Sequence, residues 1–369
     1  MAHTLQDRYS NLVKAKIRKE LVLKDGVVFN NDYEGQPTAG AVKIPVRDTE
    51  VAVSDYDKAN GITAGTGSTT YETMTINKDK GVNEIIDGYD AAAVPDNIVA
   101  DRLDSAGYSL ASQMDNDGAT VLLAGASTVG IESLTKDNVY SNIVDIRTAM
   151  SKANIPNDGK RYLLVTPDTM ALVLKSPEFI AASSLGDEVK ETGAVGKIAN
   201  FLVIEWNDST ANLAMLAGHP KFATRANEFS VPVKLQSLDG SGNYIGAAAV
   251  QGRMVYAHMV LRSTAIKAVY SPASLALTVA VGTTTAGDTK VTATATGSNT
   301  LAYKVNPSSR IAYGTATATY AGTAMTSGTA KVIGGQVAGN IVEVAEFDET
   351  TGLCVKVGYV TLTSADIKA

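Results

Sequence analysis

One helical period runs unbroken from Val94 to Gly125, and it limits what the chain can fold into more than any other stretch. Val99, Leu103, Ala106, Leu110, Met114, Gly118 and Val121 recur three or four residues apart, which lines them along one face of a helix. Pro95 and Asp96 suit the first turn, where a proline loses no hydrogen bond and a carboxylate meets the positive end of the helix dipole. Gly125 offers a stop. At 1.5 Å per residue the helix would run about 40 Å, the length of a strut. Asp101, Asp104, Ser105, Ser112 and Asp115 make the opposite face polar, so this is expected to be a solvated face and not a membrane span. An ordinary core helix of a large domain would carry the same pattern.

The rest of the chain can support such an element. With 369 residues, 45% of them hydrophobic, it can bury a sizeable core and is expected to form two or three domains. A net charge of −6, with the basic residues scattered, argues against a dedicated nucleic-acid binder. The single cysteine, Cys354, excludes an internal disulfide and a four-cysteine zinc site, and suits a reducing compartment. Met1 to Lys24 holds no apolar core of signal-peptide length, which predicts synthesis in the cytosol.

In chain order, Leu5 to Leu23 interleaves apolar positions at near-helical spacing with Arg8, Lys14, Lys16, Arg18 and Lys19. It reads as a basic amphipathic arm, and its docking surface is expected to be a partner protein rather than a membrane. A polar connector, Asn30 to Gly40, follows. From Ala41 to Asp90 the period changes to two, and the alternations at Val42, Ile44, Val46 and at Met74, Ile76 read as the arms of one long hairpin. Its tip, Asn60 to Thr70, is rich in Gly, Ser and Thr. A hairpin of that length cannot bury itself and must lie against its own body or another subunit. Lys136 to Lys152 is a second amphipathic helix. Arg161 to Thr166 and Ile198 to Glu205 are short buried strands, with Asp168 to Leu174 helical between them. Leu213 to Ala217, Val231 to Leu235, Ala248 to Met259 and Ala265 to Val269 are further strands, in no simple strand–helix repeat. After Pro272 leucine nearly vanishes, and Thr, Ala, Val and Gly form short alternating runs. These predict a small all-β sandwich that folds by itself.

The residues of catalytic chemistry do not assemble into a pattern. His3, His219 and His258 stand apart without a second ligand at helical spacing. Asp115-Asn-Asp117-Gly118 imitates the middle of a calcium loop, but Gln113 and Ala124 occupy its first and last ligand positions. Gly65 to Thr70 lacks the lysine and the following helix of a phosphate loop. Glu84, Asp87 and Asp90 read as a charged face, and Cys354 as an inert buried thiol. No catalytic, cofactor-binding or metal residue is assigned, no cofactor is expected, and the chain is read as not an enzyme.

The order of these pieces resembles the major capsid protein of tailed bacteriophages, the family sharing the Hong Kong ninety-seven fold. Three phrases carry the resemblance: Ala153-Asn-Ile-Pro156 leading into Arg161-Tyr-Leu-Leu-Val-Thr-Pro167; Gly193-Ala-Val-Gly196-Lys-Ile198-Ala-Asn-Phe201-Leu-Val203-Ile; and Val51-Ala-Val-Ser-Asp-Tyr56-Asp. It implies an α+β fold with an N-terminal arm (1–40), an extended hairpin loop (41–90), a peripheral domain with a spine helix (91–160), an axial domain (161–249) and return strands to the peripheral domain (250–272). The tail, 273–369, resembles by composition the immunoglobulin-like β-sandwiches appended to phage capsid and tail proteins. The arm is too short for a cleavable scaffolding segment. No crosslinking trio is assigned, although Lys58, Lys78 and Lys80 lie in or near the hairpin.

The resemblance implies a structural subunit that self-assembles, through hairpin 41–90 and arm 1–40, into the hexamers and pentamers of an icosahedral head. It would be assembled in the host bacterial cytoplasm around double-stranded DNA that is held without sequence recognition. Separate scaffolding, portal and decoration proteins are possible partners, and a membrane is not. An encapsulin-type nanocompartment shell and a surface adhesin with a sandwich domain are the alternatives. A self-contained monomer, with residues 41–90 folded back onto its own globule, would contradict the assembly reading.

Overall fold

The computed structural model describes residues 16–33, 40–46, 50–51, 53–62, 67, 69–93, 98–177, 196–239 and 244–369. Regular structure opens with β1 (Ala41–Val46), β2 (Thr70–Thr75), β3 (Lys78–Ile86), the short helix α1 (Gly88–Ala93) and the long helix α2 (Ile98–Gly125). Next come β4 (Ser127–Gly130), α3 (Val139–Lys152), β5 (Tyr162–Val165), α4 (Pro167–Leu174), β6 (Lys197–Ile198), β7 (Phe201–Glu205) and β8 (Leu213–Gly218). The long strands β9 (Ala223–Ser237) and β10 (Ala248–Val260) precede β11 (Lys267–Tyr270) and β12 (Ala273–Ser274). The tail holds β13 (Leu277–Val281), β14 (Thr289–Ala293), β15 (Thr300–Val305), β16 (Thr323–Met325), β17 (Lys331–Ile333), β18 (Ile341–Phe347) and β19 (Cys354–Thr361).

The chain divides into two compact units, residues 1–125 with 220–262, and residues 126–219 with 263–369. Each unit draws on two separated stretches of chain because strand pairing ignores sequence distance. Residues 91–160 are cut at Gly125, 161–249 at His219, and 250–272 at Arg262.

In the first unit β3, β10 and β9 form an antiparallel sheet in that order. One face packs on α2, where Val82, Ile86, Val233 and Val250 meet Val99, Leu103 and Ala106. This pairing corrects the extent of the hairpin. Residues 78–86 do not belong to it, because they hydrogen-bond along Ala248–Tyr256 as the edge strand of the body sheet. The hairpin proper is β1 paired with β2, from Ala41↔Thr75 to Val46↔Thr70. At its root Ile44 and Met74 bury themselves against Ala226 and Ala257 of β9 and β10.

The 28 residues of α2 follow the predicted period, and its predicted opening at Pro95 and Asp96 lies outside the described residues. Its buried face has drifted, however. Met114 and Val121 are half-buried, whereas Asp115, Ala119 and Leu122 are buried. Gly118 is needed inside the helix because a Cβ there would stand 3.1 Å from the Phe29 ring and 3.2 Å from His258. A helical glycine costs about 1 kcal/mol in propensity, and here it admits an aromatic ring.

In the second unit a six-stranded mixed sheet runs β4-β11-β8-β5-β7-β6. Every residue of β5 and β8 is buried. α3 turns Val139, Ile143, Ile146 and Met150 inward, as its spacing predicts. Arg161, 1% exposed, ties the turn after α3 to β5 by donating to the carbonyls of Pro156 (2.9 Å) and Ile155 (2.5 Å) and to Ser151 Oγ (3.1 Å). The run Ile198 to Glu205 is two strands rather than one. Ala199 and Asn200, with φ of 47° and 67°, make the two-residue turn of a tight hairpin between β6 and β7. The tail adds a five-stranded sheet, β12-β19-β18-β15-β16, and a three-stranded one, β13-β14-β17. Val291 and Ile333 of the smaller sheet share a core with Leu301, Val342 and Val344 of the larger. The tail also touches the rest of its unit, where Tyr313 stacks on Tyr270 at 5.3 Å and its N–H donates to the Ile131 carbonyl.

Candidate assembly surfaces

Two segments leave the body of the first unit, and their sequences treat them differently. The arm, read from spacing as an amphipathic helix docked on a partner, is neither over its described part. Residues 16–24 have no helical structure, and they lie on the chain's own spine helix. Lys16 pairs with Asp101 at 2.7 Å, Arg18 with Asp104 at 2.6 Å, Tyr108 donates to the Lys19 carbonyl at 2.9 Å, and the Leu23 N–H donates to Asp115 at 3.0 Å. From Asp101 to Asp115 is about 21 Å of helix. Seven residues cover that distance only when extended, at about 3.3 Å each. Of the basic residues that suggested a partner, Lys16 and Arg18 therefore meet the acidic side of α2.

The inner end of the arm closes over a buried polar knot. Arg225, 4% exposed, donates to the Leu23 carbonyl at 2.8 Å and to His258 Nε2 at 3.0 Å, and pairs with Asp25 at 3.2 Å. Its guanidinium also lies over the Phe29 ring at 4.9 Å. Asn30 completes the anchor by taking the free edge of β9. Its N–H donates to the Ala223 carbonyl and its own carbonyl accepts the Arg225 N–H. Burial raises the Asp115 carboxyl above its ordinary range, with the Leu23 hydrogen bond opposing. Burial, then the adjacent Arg225, pushes the His258 imidazole from 6.5 to about 3, so it accepts the Arg225 bond as a neutral ring.

The hairpin shows the opposite chemistry beyond its root. Val51 is 91% exposed, Val53 98%, Tyr56 72% and Tyr71 62%. Near the tip the Asp57 N–H and Gly61 N–H exchange bonds across a small turn, whose corner Asp57 caps by accepting from Ala59 N–H at 2.9 Å and Asn60 Nδ2 at 2.6 Å. The hairpin thus presents apolar side chains to water on either side of a structured turn, which is costly at roughly 25 cal/mol per Å² unless another surface covers them.

Of the other residues singled out from sequence, His219, Asp115, Asp117, Glu84 and Asp87 have partners within the chain. His3 and much of Gly65–Thr70 lie outside the described residues. His219 is buried with its ring nitrogen 3.0 Å from Asp158. Asp115, expected on the solvated face, is buried because the arm covers it. Asp117 accepts from Tyr256 at 2.8 Å and stands 3.7 Å from Lys78, so neither aspartate of the calcium-like run is free for a metal. Glu84 pairs with Arg102 at 3.2 Å, and Asp87 accepts the Tyr89 N–H at the start of α1. Cys354 is buried, and burial pushes its thiol up to about 12. Among the described residues no three His, Cys, Asp or Glu converge as a metal site, and no helix is long and apolar enough to cross a membrane. A cleft of about 820 Å³ in the second unit is lined by Thr166, Asp208, Asn212 and Ser271, each already hydrogen-bonded to its own loops or strands.

The mixed α+β architecture is similar to that of bacteriophage capsid structures. A chain of Mycobacterium phage Che8 is similar with a TM-score of 0.61 at 20% identity, over 72% of this chain and 96% of that one. The capsid structure of the Cyanophage P-SCSP1u is similar with a TM-score of 0.61 at 14% identity, over 72% and 92%. The mature capsid of bacteriophage PhiM1 gives 0.52 at 15%, over 70% and 92%. The likeness establishes the fold. It spans those chains almost whole and leaves over a quarter of this one outside it. In sequence the chain matches no family model and no curated protein.

Proposed function

We propose that this chain is the major capsid protein of a tailed bacteriophage, a structural and non-catalytic subunit that assembles with copies of itself into the hexamers and pentamers of an icosahedral head. The observation that carries the reading, beside the shared fold, is the exposed apolar run Val51, Val53 and Tyr56 on a hairpin whose root is buried in its own unit. In a closed shell the hairpin lies over a neighbouring subunit, which covers those side chains. The arm, whose described part is anchored on α2, is the second element offered to neighbouring subunits. The net charge of −6 suits an inner surface that confines double-stranded DNA without gripping it. Residues 273–369 act as an immunoglobulin-like module added to the shell, with scaffolding and portal proteins as separate partners.

The test is to express the full chain, alone and with a scaffolding protein, and to follow it by sedimentation and electron microscopy. Closed shells are expected, and V51S/V53S/Y56S is expected to remain a folded, non-assembling subunit. A wild-type chain that stays monomeric at every concentration with scaffold present sinks the proposal. Shells carrying an enzyme in place of DNA reassign the chain to an encapsulin-type compartment.

A further inference from the structure

Asn60-Gly61, exposed near the tip of the hairpin, is the chain's one Asn–Gly pair. Glycine is the least crowding neighbour an asparagine can have, because no Cβ shields the backbone nitrogen that stands next to the side-chain amide. Gly61 is open in this sense, with φ of +70° and nothing within 4 Å of where a Cβ would sit. Both groups that could react are nevertheless held, and both by Asp57. The Gly61 N–H donates to the Asp57 carbonyl at 2.8 Å, and Asn60 Nδ2 donates to Asp57 Oδ2 at 2.6 Å. Asp57 Oδ1 meanwhile accepts the Ala59 N–H at 2.9 Å. The Ala59 bond, then the Asn60 bond, holds the Asp57 carboxyl below its ordinary range, so it is ionised and its bond to the amide is charge-assisted.

We propose that Asn60 is a site of covalent ageing and that Asp57 guards it. In the reaction the Gly61 nitrogen loses its proton to hydroxide and attacks Cγ of Asn60. The new C–N bond closes a five-membered succinimide, the Cγ–Nδ2 bond breaks, and Nδ2 leaves as ammonia with a proton taken from water. A second water then opens the ring. Attack at Cγ leaves aspartate, attack at the Asn60 main-chain carbonyl carbon leaves isoaspartate, and nothing is oxidised or reduced. Ring closure takes the Gly61 proton off the Asp57 carbonyl and turns the amide away from Asp57 Oδ2, so the closed turn slows it. Either product places a new carboxylate between Tyr56 and Ile62, which are 72% and 52% exposed. Isoaspartate also adds one carbon to the backbone inside the Asp57–Gly61 turn. The consequence for subunit docking rests on the assembly reading above, whereas the guard does not and is tested without shells.

The full chain, D57A, D57N and a synthetic peptide of residues 55–62 are held in mildly alkaline buffer. The amide-to-acid mass gain is followed in the synthetic peptide and in the tryptic peptide Ala59–Lys78, with fragmentation placing it on a residue. The wild-type chain is expected to react at least about tenfold more slowly than the synthetic peptide, because two hydrogen bonds must open first, and D57A to recover most of that difference. D57N, whose one amide oxygen can accept from Ala59 or from Asn60 but not from both, should fall between, with circular dichroism checking that each variant is folded. Equal rates in wild type and D57A overturn the guard, as does a wild type that reacts as fast as the synthetic peptide. A gain on Asn77 of the same tryptic peptide, in place of Asn60, overturns the site.

Discussion

The arm and the hairpin leave the same unit, and they end in opposite states. From Lys16 to Asn30 the arm is held by charges and backbone hydrogen bonds, and Leu23, Val28 and Phe29 are buried on the chain's own helix and sheet. From Val51 to Tyr56 the hairpin carries apolar side chains of similar size that nothing in its own unit covers. The difference is one of partners. Buried backbone groups of the arm must be satisfied at once, because an unpaired one costs about 1–3 kcal/mol, and Asp115 and Arg225 are placed to do so. Exposed valines can wait for a neighbouring subunit.

The contrast can be broken at several points. Removing the clamp should have the largest effect, since R225M deprives the Leu23 carbonyl, Asp25 and His258 of their shared partner. A loss of about 3–5 kcal/mol in denaturant unfolding is expected, and a loss below 1 kcal/mol would show that the arm is not pinned there. Acid should loosen the same knot. The unfolded chain takes a proton on His258 near 6.5 and the folded one only near 3, so stability is lost as pH falls through that window. The loss is on the order of a few kcal/mol. Asp115, raised by burial, works in the opposite sense, so the His258 share is read as the difference between wild type and H258Q across a pH series. Next comes a pair of glycines on α2. G118A should cost about 1–3 kcal/mol by pressing on Phe29 and His258. G107A, with nothing within 4 Å, should be neutral or stabilise by up to about 1 kcal/mol. Equal effects would mean that Phe29 is not seated against the helix. The smallest change in stability belongs to the hairpin, where V51S/V53S/Y56S should unfold within about 0.5 kcal/mol of wild type. A larger loss would mean that the hairpin completes its own subunit and the contrast fails.

Much of the architecture was legible in the sequence, and the misses share a cause. The inward face of α3 and the alternation of β1 and β2 are local signals that emerged with the expected faces, and the period of α2 emerged with its buried face shifted. Asp115 was misplaced because its spacing puts it among Asp101, Asp104 and Ser112. The segment that buries it enters from far earlier in the chain. The arm was read as a helix because Leu5, Leu12, Ile17 and Leu21 have helical spacing, yet Lys16 and Arg18 find acids on α2 in an order that only an extended chain can match. β3 was absorbed into the hairpin since its alternation continues that of β2, and only its ladder with β10 separates them. Arg225 and Glu346 gave no motif. A charged residue within a strand of buried neighbours was the one available signal.

By itself the sequence determined most of the helices and strands, and that an arm and a hairpin must seek a surface outside themselves, because periodicity and turn residues act over a few residues. Tertiary structure decided which surface each one found. It seated the arm on α2, left the hairpin's valines in solvent, and set Lys356 beside Glu346 on adjacent strands. Those outcomes depend on hydrogen-bond and charge partners many residues apart, and no local period records them.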